Sequence, residues 1–178
     1  MLNLQPTLTG LSINLRPINV NDFDALHLAA SDPKTWEQHP DSQRYQRDVF
    51  KQRYFDGAIS SGGALVILDS QTNQVIGSSR YYDIDEMNKE LAIGFTFLSP
   101  SYWGGGANTE LKKLMLDHAF EWANSVWLHI GETNYRSRKA TEKLGAVLMK
   151  QEHRISNDLD YVQLYYKLTR SVWLARQT

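Results

Sequence analysis

The sequence predicts an α/β domain on a mixed sheet, and three observations carry that prediction. Segments with strand alternation and segments with helical spacing follow one another along the whole chain. One segment, Glu90 to Leu98, is largely apolar on both faces and so belongs in the middle of a sheet. It runs into a glycine-rich turn and then a helix, the strand–turn–helix order of a crossover connection. The 178 residues, 42% of them hydrophobic, suit one globular domain over residues 1–178, with a core from about 11 to 169.

Leu11 to Ile18 alternates Leu11, Ile13 and Leu15 against Ser12, Asn14 and Arg16, a half-buried strand ended by Pro17. Asn21 can cap a helix that begins at Asp22 and shows Phe23, Leu26, His27 and Ala30 on one face, until Asp32-Pro33 stops it. Helical spacing resumes near Gln43 and runs to about Ser60, with Tyr45, Val49, Arg53 and Tyr54 on one side. Ala64 to Leu68 and Val75 to Tyr82 read as a hairpin across the polar turn Asp69 to Gln74. Within the central strand, Gly94 marks a bulge or a close backbone approach. After the turn Ser99 to Asn108, the residues Leu111, Leu114, Met115, His118, Ala119 and Trp122 recur at helical spacing. Val126 to Ile130 is a short strand, and Asn134 to Leu144 is a helix closed by Gly145. Ala146 to Arg154 and Tyr161 to Thr169 form a closing hairpin around Ser156-Asn157-Asp158. The tail residues Val172, Trp173 and Leu174 are more apolar than a free end needs, so they dock on the core or on a second subunit, and a homodimer stays open.

Composition excludes several function classes. The chain has no cysteine, which removes disulfides and thiolate catalysis, so any thioester chemistry must use a thiol brought by a ligand. Nineteen Lys and Arg against twenty Asp and Glu give a net charge of −1, without the basic excess of a nucleic-acid binder. No run approaches the roughly 18 apolar residues of a membrane span, and the first residues lack a signal-peptide pattern, so the expectation is a cytoplasmic protein with no membrane partner. The five histidines show no metal spacing, and no metal is expected.

The chemistry concentrates in residues 90 to 122. A helix N-terminus leaves four N–H groups unpaired and carries partial positive charge, and Gly104-Gly105-Gly106 lets an anion approach them. Together they make a diphosphate cradle. It is not a Walker loop, because it ends Gly106-Ala107-Asn108-Thr109 without Gly-Lys-Ser/Thr. It is not the dinucleotide fingerprint, because the third glycine is replaced by Thr109.

The run Ile93-Gly94-Phe95-x-Phe97-x-x-Pro100-x-Tyr102-Trp103-Gly104-x-Gly106-x-x-Thr109-Glu110 resembles the acetyl-CoA signature of the GNAT superfamily of N-acetyltransferases. A second block, Asn134-x-x-Ser137-x-x-x-x-Glu142-Lys143-Leu144-Gly145-Ala146, is similar to a helix of the bacterial subgroup that includes the ribosomal-protein N-acetyltransferases. The resemblance implies a mixed, mostly antiparallel sheet of about seven strands flanked by about four helices and splayed between the fourth and fifth strands. It implies acetyl-CoA as co-substrate and a primary-amine acceptor, either a protein N-terminus or a small molecule. By resemblance, Trp103, Gly104, Gly105, Gly106, Ala107, Asn108 and Thr109 cradle the pyrophosphate, and Phe97 and Leu98 pair with the pantetheine arm. Trp103 stands where the superfamily has Gln or Arg, and Asn108 where it has Gly or Ala.

Amine attack on a thioester needs a neutral amine, an oxyanion donor and a proton for the leaving thiolate. The backbone N–H near Phe97 or Leu98 is the natural oxyanion donor. The resemblance places Asn134 on the cofactor arm and Ser137 near its sulfur, while Thr141 stands where many members carry an acidic Tyr. Ser137 is therefore the candidate acid, with plain backbone bonding in a first helical turn as its other reading. Glu90, at the start of the central strand, is the candidate base, against a solvated strand-end charge. Glu132 has the same standing, Glu110 is explained by the helix dipole, and Asp158 and Asp160 read as turn formers. Among Lys112, Lys113, Arg136, Arg138 and Lys139, Arg138 is the choice for the 3′-phosphate, the others reading as solvated helix charges. His118 and His129 read as core or edge residues rather than bases. Trp36, Tyr45, Tyr54, Tyr81 and Tyr82 either wall an acceptor pocket or pack in the core. Deprotonating a Lys amine at pH 7 costs roughly 4–5 kcal/mol and an α-amine roughly 1, so without an obvious base the N-terminal α-amine is the easier acceptor. A small amine (polyamine, amino acid or drug) and a catalytically silent acyl-CoA-binding module are the other readings.

Overall fold

The computed structural model describes residues 2–176. The first hairpin arm is β1 (Leu8–Thr9), paired with β2 (Ile13–Pro17). Two strands, β3 (Ala64–Asp69) and β4 (Val75–Asp85), follow as the expected hairpin, and β5 (Glu90–Leu98) has the bounds its alternation predicts. Beyond it lie β6 (Ser125–Gly131), β7 (Val147–Ser156) and β8 (Leu159–Thr169). All eight join one sheet in the order β1-β2-β3-β4-β5-β6-β8-β7, antiparallel throughout except for the parallel pair β5–β6. The strand beyond the expected seven is β1, whose two residues are too short to show a period.

The period-2 rule sorts the core into two layers. Leu65 and Ile67 point to one face, where α4 (Ala107–Phe120), α5 (Tyr135–Lys143) and α6 (Arg170–Ala175) lie and bury Leu111, Met115 and Tyr166. Ala64 and Val66 point to the other face, against α1 (Phe23–Ala30), α2 (Arg47–Phe50) and α3 (Asp56–Ser60), with Leu26, Trp36, Phe50, Tyr54 and Phe97 between them. The tail docks on its own chain: Trp173 is buried, stacks on Phe120 and donates its indole N–H to Asp117 Oδ1 at 2.9 Å.

Two helix expectations need correction. The cap is Asn19 rather than Asn21: its side chain accepts from Asn21 N, and the Asp22 carboxylate accepts from Asn19 N, so a single 3₁₀ turn precedes α1. The continuous helix expected from Gln43 instead starts at Arg47, and a π turn over Lys51–Phe55 separates α2 from α3. A π turn adds a residue to the cycle, so a 3.6-residue spacing cannot be carried through it.

The feature that positions the site is where β5 and β6 part. They pair at Glu90↔Ser125, Leu91↔Val126 and Ala92↔Trp127, and no further. A bulge on the β4 side bends β5 there: the register shifts between Ser78 and Arg80, and Phe95 takes φ 51°. The Phe95 carbonyl, turned out of the ladder, accepts the Tyr54 hydroxyl at 2.6 Å. Gly94 is a close approach as well, since a Cβ there would stand 2.9 Å from the Tyr82 hydroxyl.

Candidate active site

A cavity of about 890 Å³ opens between the diverging ends of β5 and β6. Its floor is β5 from Ile93 to Leu98 and β6 from Leu128 to Gly131. The starts of α4 and α5 form one side, residues of the 35–53 segment the other, and Lys150, Glu152, Arg154 and Tyr165 of the β7–β8 hairpin border it.

The turn before α4 has the geometry of an anion cradle. Gly104 and Gly106 take φ of 77° and 92°, the left-handed region that side chains resist, and Gly106 is the N-cap of α4. The first intrahelical bond is Glu110 N to Gly106 O at 3.0 Å, so the N–H groups of Ala107, Asn108 and Thr109 have no intrahelical acceptor. A Cβ built on Gly104, Gly105 or Gly106 would meet nothing within 4 Å, so the space over the loop is open. Trp103 fastens the loop: its indole N–H donates to Leu98 O at 2.9 Å, and the Arg136 guanidinium lies 3.8 Å from its ring centroid. That clamp gives Trp103 a physical role in holding the loop between β5 and α5.

Of the residues singled out in the sequence, Phe97, Leu98, Trp103, Gly104, Asn108, Asn134 and Ser137 come together around this cavity. Gly105, Gly106, Ala107 and Thr109 supply the backbone of the helix start beside it. Asn134 caps α5, its Oδ1 accepting from Ser137 N at 3.2 Å, and Ser137 is half-buried in the first turn. Thr141, one turn further on, is buried and lines the same cavity.

Glu90 is not brought to the site. It sits where β5 and β6 are still paired, seven residues before Phe97 and thus roughly 20 Å away along the strand. Its carboxylate accepts from Lys167 Nζ and Trp127 Nε1, each at 2.6 Å. Partial burial works against its charge, but the Lys167 and Trp127 bonds prevail and hold it below the usual carboxylate range. Arg138 also faces elsewhere, donating to Glu132 O at 2.9 Å, whereas Arg136 stands at the cavity. Glu110 accepts from the backbone N–H of Ser12 at 3.1 Å and ties α4 to the β1–β2 turn. Asn157 and Asp158 take φ of 51° and 60°, the tight turn expected of them. Of the five aromatic residues, Trp36 and Tyr82 reach the cavity, while Tyr81 is buried in the other layer with its hydroxyl on Met115 O.

Three features escaped the sequence. His129 lies at the fork, two residues past the last β5–β6 pair, with Nδ1 3.1 Å from the Tyr82 hydroxyl and its ring centroid 4.6 Å from that of Tyr165. Burial pushes its pKa below the ordinary 6.5, more than neighbouring Asp83 raises it, so the ring is neutral at pH 7. Lys112 lines the cavity one turn after Asn108, only 8% exposed, and donates to Thr96 Oγ1 at 3.1 Å. Desolvation pushes its pKa down to about 8. Arg44, Arg53 and Asp41 also line the wall. The helical offset of Lys112 from Asn108 was a usable signal, and the placement of His129 on a strand pointing into a splay was another. Among the described residues no group of three or more His, Asp or Glu could hold a metal, and no helix is long and apolar enough to cross a membrane.

Residues 12–147 match the acetyltransferase (GNAT) domain family. No curated protein matches the sequence. Among solved structures, a GCN5-related N-acetyltransferase from Brucella melitensis superposes with a TM-score of 0.84 at 19% identity, covering 96% of this chain and 81% of that one. An acetyltransferase of the GNAT family from Bacillus anthracis gives 0.75 at 14% identity, over 93% and 99% of the two chains. The spermidine N-acetyltransferase from Vibrio cholerae, solved with CoA and spermine, gives 0.69 at 17% identity, over 92% and 98%. A forked sheet that opens onto a glycine-capped helix, carried by a sequence that matches this domain over most of its length, places the chain in the GNAT acetyltransferase family.

Proposed function

We propose that the protein, as a single acetyltransferase domain, transfers an acetyl group from acetyl-CoA to a primary amine in a ternary complex. The observation that carries this reading is the β5–β6 fork meeting the N-terminus of α4 at one cavity. The residues suit the co-substrate: free N–H groups at Ala107 to Thr109 and the ammonium of Lys112 answer a diphosphate, and the unpaired edge of β5 from Ile93 to Leu98 answers an amide-bearing arm. Acetyl-CoA supplies an activated acyl group; the chain supplies orientation and the proton path.

On the acceptor side, the Tyr82 hydroxyl takes the amine proton while passing its own to Nδ1 of His129. Burial keeps Tyr82 protonated by pushing its pKa well up, and His129 is neutral and able to accept. The backbone N–H near Phe97 or Leu98 stabilises the oxyanion. Ser137 donates its hydroxyl proton to the departing sulfur and regains one from solvent, which also takes up the proton left on His129, so Ser137→Ala is expected to lower kcat about 10- to 100-fold, and an unchanged kcat assigns that proton to water. The acceptor amine is an α-amine, at a protein N-terminus such as that of a ribosomal protein or on a small molecule, because its lower pKa spares the enzyme a strong base. With no cysteine there is no cysteinyl acyl-enzyme, so initial-rate plots against the two substrates should intersect, and parallel lines would overturn direct transfer. Mass spectrometry of peptides with free and blocked N-termini should find α-acetylation, and products acetylated only on lysine would overturn the α-amine preference.

A further inference from the structure

We infer that the acceptor carries an oxyanion group, a carboxylate or a phosphate, which docks against the guanidinium groups of Arg53 and Arg44 in the wall of the cavity. The inference rests on the transferase reading of this site and goes beyond it to the class of acceptor.

The charge on that wall does not balance. Asp41, 2% exposed, faces two guanidinium groups, Arg44 Nε at 3.0 Å and Arg53 Nη1 at 3.5 Å. A third, Arg80, is 7% exposed behind them and lies 4.1 Å from the Phe95 ring centroid. Its Nη2 makes a long 3.4 Å bond to Tyr54 O, and its Nε has no hydrogen-bond partner. Two cations thus meet the Asp41 carboxylate, and Arg80 adds a third positive charge that Arg44 feels. His39 does not change the sum, because burial, and then Arg44, push its pKa down to about 3 and keep it neutral. Buried positive charge in excess of the carboxylates beside it is costly and is retained where something complements it.

Arg53 is the member free to act. Its side chain is about one-third exposed at the cavity, and its contact with Asp41 is long, which leaves donors of the guanidinium fork for a ligand. It sits in the π turn Lys51–Phe55, the irregularity that also sets Tyr54 to hold the Phe95 carbonyl. A π turn of this kind re-aims one side chain from an otherwise regular helix. The remaining charges of the acceptor side cancel among themselves: Lys150 and Arg154 sit at 2.6 and 4.0 Å from Glu152, and Asp83 stands 4.0 Å from His129. A polycation would therefore meet net positive charge here, although the Vibrio cholerae neighbour was solved with spermine.

The test uses matched acceptors: an α-amino acid and its amide, a peptide with an acidic second residue and its Asn or Gln counterpart, an amino-alcohol phosphate and the parent amino alcohol, and spermidine. Binding to the CoA-saturated protein is measured by calorimetry, and turnover by thiol release from acetyl-CoA. Charge-assisted bonds from Arg predict that the anionic member of at least one pair wins by about 10- to 100-fold in affinity and in kcat/KM. In Arg53→Gln that ratio collapses toward one, while Arg53→Lys restores part of it. Ratios near one in every pair, tighter spermidine binding, or a ratio unmoved by Arg53→Gln overturn the inference and leave the transferase reading standing. Absence of turnover with every acceptor overturns the transferase reading, while the calorimetric ratio still decides the inference.

Discussion

His129→Gln is expected to lower kcat by about 100-fold or more, the usual size of a lost proton acceptor, with the fold intact. The ring sits at the fork between β5 and β6, half-buried and in hydrogen-bond contact with Tyr82. Glutamine keeps a polar group for the Tyr82 hydroxyl but cannot take a proton. The groups facing the ring are Tyr82 and Asp83 from β4, Tyr165 from β8, and Lys150, Glu152 and Arg154 from β7. Burial, opposed by Asp83, sets the net shift downward. The working, neutral form therefore prevails above a pKa that lies below 6.5, and kcat should fall as pH drops through that value. In His129→Gln this acidic limb should vanish. Tyr82→Phe should cost a similar factor, and the double variant little more, because the two act as one path. A limb that survives in His129→Gln, or an unchanged kcat, removes His129 from the mechanism.

The second large effect concerns Lys112. Its ammonium is buried with Thr96 Oγ1 as its bonded partner. Holding its pKa at about 8 rather than 10.5 means that the folded state pays for the charge at neutral pH, by about 3 kcal/mol. The sign is the reverse of the usual lysine: the unfolded chain binds the proton more tightly, so stability rises with pH between about 8 and 10.5. Lys112→Met is expected to stabilise the protein at pH 7 by about 1–3 kcal/mol, with the gain shrinking toward pH 10.5. Affinity for acetyl-CoA should fall by about 10-fold or more, the cost of a lost charged contact. Denaturant unfolding at pH 7 and pH 10, beside a calorimetric titration, checks both halves. A variant that is less stable at pH 7 and binds acetyl-CoA unchanged would show that Lys112 is structural.

Local pattern carried the sequence a long way here because its strongest signals are local. The bounds of β5, the glycine cap of α4, and Gly145 with its φ of 88° at the end of α5 follow from residues within a few positions of one another. Glu90 was decided by a partner far along the chain, Lys167, 77 residues away, while Arg138 turns back to the Glu132 carbonyl just ahead of its own helix. His129 fits an alternating strand and so resembles a core residue until the parting of β5 and β6 gives its face a cavity. Lys112 carries a charge that suggests solvent, while its position four residues after Asn108 sends it inward. The π turn that carries Arg53 is invisible to a 3.6-residue period by construction.

Free thiol released from acetyl-CoA is the direct measure of the central claim, and a chain without cysteine adds no thiol of its own. With acetyl-CoA and a panel of α-amines, release should depend on the acceptor and be lost in Gly106→Val, where a side chain cannot follow the φ of 92° that opens the cradle. Acetyl-CoA bound without release from any acceptor, or release undiminished in Gly106→Val, would contradict the account.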